Sequence, residues 1–157
     1  MSAWLKVIGS HKTPIPVDRC SGYYTDENES VGFRRENRPG IREGDHLFLY
    51  GAGGSKRIFA LVEAIGNPER DNKYDAKSEG SCRWKLRIQY STNLPVASGL
   101  PIDEVRTKRD LARSISQKSH IKLSPEEYKS VYSSLEEMRT KHRSGNAYQP
   151  TSRRLER

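Results

Sequence analysis

Hydrophobic positions fall into a few short, dense runs, and two of them flank a glycine-rich reversal in the stretch Gly40 to Ile65, GIREGDHLFLYGAGGSKRIFALVEAI. Side chains alternate across a strand, so Leu47 and Leu49 point to one face while His46, Phe48 and Tyr50 point to the other. The second run, Ile58 to Ile65, is apolar on both faces, which is the pattern of a fully buried central strand. Gly51, Gly53 and Gly54 supply the positive-φ positions of a tight reversal. The whole reads as the central hairpin of a small β-barrel.

The other runs fit around it. Ala3-Trp4-Leu5-Lys6-Val7-Ile8 has the composition of a first strand, ended by Gly9-Ser10. His11 to Ser30 reads as a loop or short turn of helix carrying the adjacent Tyr23 and Tyr24, and Gly32 to Pro39 leads into the hairpin with Arg34, Arg35 and Arg38. Glu69 to Ser81 is a polar insertion without periodicity. Arg83 to Tyr90 shows the cleanest alternation, with Trp84, Leu86, Ile88 and Tyr90 inward and Arg83, Lys85, Arg87 and Gln89 outward. From Ser91 to Leu123 the signals weaken: single helical turns are predicted at Ile102 to Arg106 and Asp110 to Ser114, followed by a polar strip through Ser116, Gln117, Lys118 and Ser119. Ser124-Pro125-Glu126-Glu127 is a capping box with proline at the first helical position. Tyr128, Val131, Tyr132, Leu135 and Met138 follow at helical spacing as a core stripe. Periodicity fades beyond Arg139, which divides the chain into a domain over 1–138 and a basic, flexible tail over 139–157.

Composition narrows the function. The chain has 157 residues, enough for one core, with 33% hydrophobic and 31% charged positions. No apolar run approaches the roughly 20 residues that span a bilayer, and Met1 to Ser10 lacks the plan of a signal peptide, so a cytoplasmic protein without a membrane partner is expected. Cys20 and Cys82 alone cannot form a disulfide framework or a cysteine-rich zinc site. A net charge of +8 favours a polyanionic partner, although much of the excess sits at the end, where Arg139, Lys141, Arg143, Arg153, Arg154 and Arg157 face only Glu156.

Catalytic motifs are not found. Gly51-Ala52-Gly53-Gly54-Ser55-Lys56 lacks the full phosphate-loop pattern and precedes a strand, so it is a turn. His11, His46, His120 and His142 show no metal-ligand spacing and read as surface or core residues. No G-x-S-x-G elbow marks a nucleophile. No catalytic residue, metal or cofactor is assigned.

Trp4-Leu5-Lys6, Gly32-Phe33-Arg34, Arg42-Glu43-Gly44-Asp45 entering Leu47-Phe48-Leu49-Tyr50, the return Ala60-Leu61-Val62-Glu63-Ala64, and the segment Ser116 to Tyr128 together resemble the EVE domain in order and spacing. The resemblance spans about Ala3 to Leu135 and departs from the pattern at Val7-Ile8-Gly9-Ser10 and at Arg35. It implies an α+β, PUA-like fold, a small mixed β-barrel with flanking helices, related to YTH and ASCH domains. It also implies a non-enzymatic module that reads a modified base in nucleic acid, with modified cytosine in DNA the leading candidate and a restriction or modification system as its setting.

Carried over, the base pocket comprises Ser10, Tyr23, Tyr24, Phe33, Arg34, Tyr50, Gly51, Ser116 and Ser119, with Arg35, Arg38 and Lys118 on phosphates. The chemistry is coherent: an extruded base needs an aromatic face, polar groups at its edge and cations on its backbone. The alternatives are an ASCH-like ribonuclease or RNA-binding domain, with Lys6, Arg34, Tyr50 or Ser116 acting on RNA, and an adaptor docked through its basic tail.

Overall fold

The central hairpin forms as its alternation predicts, and the remaining strands add to both sides of it. The computed structural model describes residues 1–8, 29–51, 55–77 and 81–148, with side chains of the last helix described through 143. β1 (Ala3–Ile8) lies next to and parallel with β3 (His46–Gly51), which returns antiparallel into β4 (Arg57–Ala64). β4 pairs with β6 (Trp84–Asn93), and β6 with β2 (Ser30–Phe33). On the far side β1 pairs with β8 (His120–Leu123), so the path across the sheet is β2-β6-β4-β3-β1-β8. Two short strands lie off the path, β5 (Glu69–Arg70) on β6 and β7 (Leu100–Pro101) on β4. The sheet curls into a half-barrel.

Curling gives the sheet two cores. Val31, Phe33, Leu47, Leu49, Phe59, Val62, Leu86 and Ile88 fill the concave side. On the convex side Leu5, Phe48, Tyr50, Ile58, Leu61, Ile121 and Leu123 pack against α1 (Leu111–Ile115) and α2 (Pro125–Tyr148), which contribute Leu111, Ile115, Val131 and Leu135. A central strand covered on both faces must be apolar throughout, and β4 is buried at every position from Ile58 to Ala64 except Glu63. A register shift opposite Leu49 and Tyr50 places the consecutive Phe59 and Ala60 in the same core, a reversal of alternation that a bulge permits.

Asp45 ties down the lower end of the barrel. Gly44, at φ 91°, turns the chain so that both Asp45 carboxylate oxygens are used: Oδ1 accepts from Ser2 N, and Oδ2 from Trp4 Nε1 and Arg42 N. Burial pushes this carboxyl up, but the three donors outweigh it and hold the group below its ordinary range. The capping box at α2 also forms, Ser124 Oγ accepting from Glu127 N and Glu127 Oε1 from Ser124 N. Arg109 adds a bidentate pair to the Glu127 carboxylate at 2.8 and 2.9 Å.

Some local expectations change. Gly51 is the last residue of β3 and not a positive-φ position; the left-handed residue described in that turn is Lys56, at φ 50°, while Gly53 and Gly54 lie outside the described residues. The loop expected over His11 to Ser30 is likewise outside them up to residue 28. β8 was hidden by its brevity and its polar positions, because only Ile121 and Leu123 are apolar and buried, while His120 is half-buried and Lys122 exposed. α2 continues to Tyr148, taking in residues that the fading periodicity places in the tail. Tyr132, expected in the core stripe, is 41% exposed and rests on Tyr128 with ring centroids 5.8 Å apart.

Candidate functional site

Strand alternation in β1 sends Ala3, Leu5 and Val7 to the helix side, and therefore Trp4, Lys6 and Ile8 to the concave core. A lysine is thereby forced inside the barrel. Lys6 is 6% exposed; its Nζ donates to Val7 O at 2.7 Å and stands 4.7 Å from the centroid of the Phe33 ring. Burial lowers its pKa from 10.5 to about 8, with Cys82 opposing the change and Arg34 adding to it. At pH 7 the barrel therefore holds a buried ammonium against an aromatic face.

β2 and β8 are the two ends of the sheet path, and side chains close the seam between them. Phe33, the last residue of β2, meets His120, the first of β8, edge to face at 5.3 Å and 85°. The Trp4 ring stands 5.5 Å from the same imidazole. Ser119 Oγ is 2.7 Å from His120 Nδ1, and Arg35 approaches Nε2 at 3.5 Å. A guanidinium can only donate, which makes Nε2 the acceptor and Nδ1–H the donor to Ser119. Burial, then Arg35, then Lys6 lower His120 to about 4, so the imidazole is neutral at pH 7. Within one patch the seam offers an ammonium, a guanidinium, a hydroxyl and a neutral imidazole around Phe33.

The structure brings together part of the predicted pocket. Phe33, Arg34, Arg35 and Ser119 meet at the seam. Ser116 and Lys118 are exposed on the turn leading into β8, where Gln117 adopts φ 63°. Tyr50 belongs to the opposite face: it packs with the helix-side core, where burial and Asp103 push its hydroxyl up. Tyr50 and Phe33 therefore cannot flank one ligand. Gly51 pairs with Ile8 at the end of β3, and Arg38 lies further along the connection that follows Phe33. Ser10, Tyr23 and Tyr24 lie outside the described residues. Phe33 is itself 1% exposed, so its ring is a core aromatic whose margin reaches the seam.

Sequence reasoning passed over the two central groups, His120 as a site residue and Lys6 as anything beyond a possible nuclease residue. For Lys6 a signal existed, since the alternation of β1 places it in line with Trp4 and Ile8. His120 had none, because its strand was not recognisable. Among the described residues there is no group of three or more His, Cys, Asp or Glu placed to hold a metal, and no helix long and apolar enough to cross a membrane.

Solved structures share this architecture. Human THYN1, determined in complex with 5-methylcytosine-containing DNA, superposes with a TM-score of 0.55 at 15% identity over 85% of this chain and 96% of that one. At this identity the likeness is one of fold, and the α+β, PUA-like arrangement expected from the sequence is the one observed. A hypothetical protein from Leishmania major shares the fold with a TM-score of 0.59 at 17% identity, covering 88% of this chain and 97% of that one. Rpa0253 from Rhodopseudomonas palustris gives 0.56 at 19% identity over 86% and 93%. No family model and no curated protein matches the sequence.

Proposed function

We propose that this EVE-fold chain is a non-enzymatic nucleic-acid-binding module that receives an extruded modified base at the β2–β8 seam, with modified cytosine in DNA as the leading ligand. The observation that carries the reading is the buried Lys6 ammonium beside the neutral His120, two polar groups that burial penalises and that no packing argument requires. A base edge presents both donors and acceptors. Lys6 donates, His120 Nε2 accepts once Arg35 turns outward, and Ser119 fixes the tautomer. Arg34, Arg35 and Lys118, exposed around the seam, neutralise the flanking phosphates. The 5-methylcytosine DNA bound by the fold neighbour THYN1 supports the same class of partner. A role in a restriction or modification system, with cleavage performed by another protein, is part of this proposal.

Binding to matched oligonucleotides with and without 5-methylcytosine tests it. Lys6→Met and His120→Gln, if folded, are expected to lose preference for the modified strand while keeping general affinity. Equal binding of both strands by the wild-type chain would refute base recognition. RNA cleavage that disappears in the same two variants would replace it with the ribonuclease reading.

A further inference from the structure

Beyond the seam, the connection between β2 and β3 bounds a second cleft, of about 390 Å³, lined by Arg38, Pro39, Gly40, Ile41, Arg42 and Asn67. Its size lies within the range of small-ligand sites. Its chemistry is one-sided. Proline, glycine and isoleucine bring no polar side chain, and neither guanidinium has a hydrogen-bond or ion-pair partner among the described residues. Asn67 Oδ1 is committed to Glu43 N at 2.9 Å, so its amide presents N–H groups. Of the neighbouring carboxylates, Asp45 has both oxygens occupied by Ser2, Trp4 and Arg42 donors, and Glu43, which reaches Asn67 through its backbone N–H, does not line the cleft. Every uncommitted side-chain polar group of the cleft is therefore a donor, and two are cationic.

The cleft also adjoins the seam. Trp4 Cη2 stands 3.8 Å from where a Cβ on Gly40 would sit, and the same indole packs against His120. One aromatic ring thus separates the two sites. Lys122 Nζ lies 6.0 Å from the Trp4 ring centroid, and Arg34 and Arg35 stand on the same connection as Arg38 and Arg42, so cations continue from one site to the other. Trp84 Nε1 donates to Glu36 O and Ile41 is 1% exposed, which anchors this connection between its arginines.

We infer that the Arg38–Arg42–Asn67 cleft is a phosphate subsite for the strand whose base enters the seam. This rests on the nucleic-acid reading above and adds to it a backbone-holding site with no base selectivity. Two planar forks and an amide match the oxygens of a phosphodiester, and the open cleft leaves room for the adjoining sugar.

The test measures anisotropy of labelled methylated and unmethylated oligonucleotides over a range of NaCl concentrations, using Arg42→Gln, Asn67→Asp and, on the helix side, the control Arg106→Gln. Asn67→Asp keeps an acceptor for Glu43 N while placing a carboxylate beside the two guanidiniums. Both cleft variants are expected to weaken all strands several-fold at low salt and to flatten the slope of log K against log[salt] by about 1, leaving the methylated-to-unmethylated ratio unchanged. Wild-type affinity and slope in folded cleft variants would overturn the subsite while leaving the seam reading intact. A changed ratio would also overturn it, since the cleft would then be reading the base. If the wild-type chain binds no oligonucleotide, the seam reading fails as well. Calorimetric binding of inorganic phosphate that Arg42→Gln abolishes would, in that case, reassign the cleft to a free phosphorylated ligand and overturn the strand.

Discussion

A lysine held at about 8 and a histidine held at about 4 leave separate marks on stability. Between about 8 and 10.5 the unfolded chain carries the Lys6 proton more fully than the fold does, so stability rises with pH across that window. At about 1.36 kcal/mol per pKa unit, the burial of this ammonium costs roughly 3 kcal/mol at pH 7. Lys6→Met is therefore expected to raise denaturant stability at neutral pH and to abolish the alkaline slope; a less stable variant would show that the bond to Val7 O outweighs desolvation. For His120 the unfolded chain binds the proton below 6.5 and the fold only near 4, so stability falls as the solution is acidified through that interval. His120→Gln is expected to remove this part of the acid loss. Loss from the Asp45 and Glu127 carboxylates would remain, because their depressed values withdraw stability as pH falls below the ordinary carboxylate range.

At the scale of elements, α2 is fixed at its start and through its buried stripe. Ser124→Ala removes one half of the capping box and is expected to cost roughly 0.5–2 kcal/mol. Leu135, at 2% exposure, seals the helix-side core, and Leu135→Ala is expected to cost roughly 2–5 kcal/mol in chemical denaturation. An effect within error would detach the helix from the half-barrel. Tyr132→Ala should be milder, because that residue keeps 41% of its surface in solvent and leaves no closed cavity. Phe33→Ala removes a ring buried between Lys6 and His120, so it is expected to lower stability by roughly 3–5 kcal/mol before any binding defect can be read.

Over the whole molecule, positive charge is spread between the seam connection and the chain end. Deleting residues 149–157 removes Arg153, Arg154 and Arg157 against Glu156. Under the nucleic-acid reading, this is expected to weaken modified and unmodified strands alike and to reduce the salt dependence. A change in base preference would instead tie the tail to recognition.

The sequence by itself determined the central hairpin, the two-faced burial of β4, the alternation of β6 and the capped start of α2. These are local signals: strand period and reciprocal side-chain caps act within a few residues. It also named Phe33, Arg34, Arg35 and Ser119, which meet at the seam. Only the tertiary structure decided which predicted residues share a face. Tyr50 and Phe33 look alike along the chain, yet the parallel pairing of β1 with β3 and the curl of the sheet put one outside and the other inside. His120 became visible only when β8 paired with β1, because a four-residue strand with two apolar positions carries too little hydrophobic signature of its own. The Arg38–Arg42–Asn67 cleft likewise joins segments that are distant in sequence, and such proximity follows from packing over the whole chain.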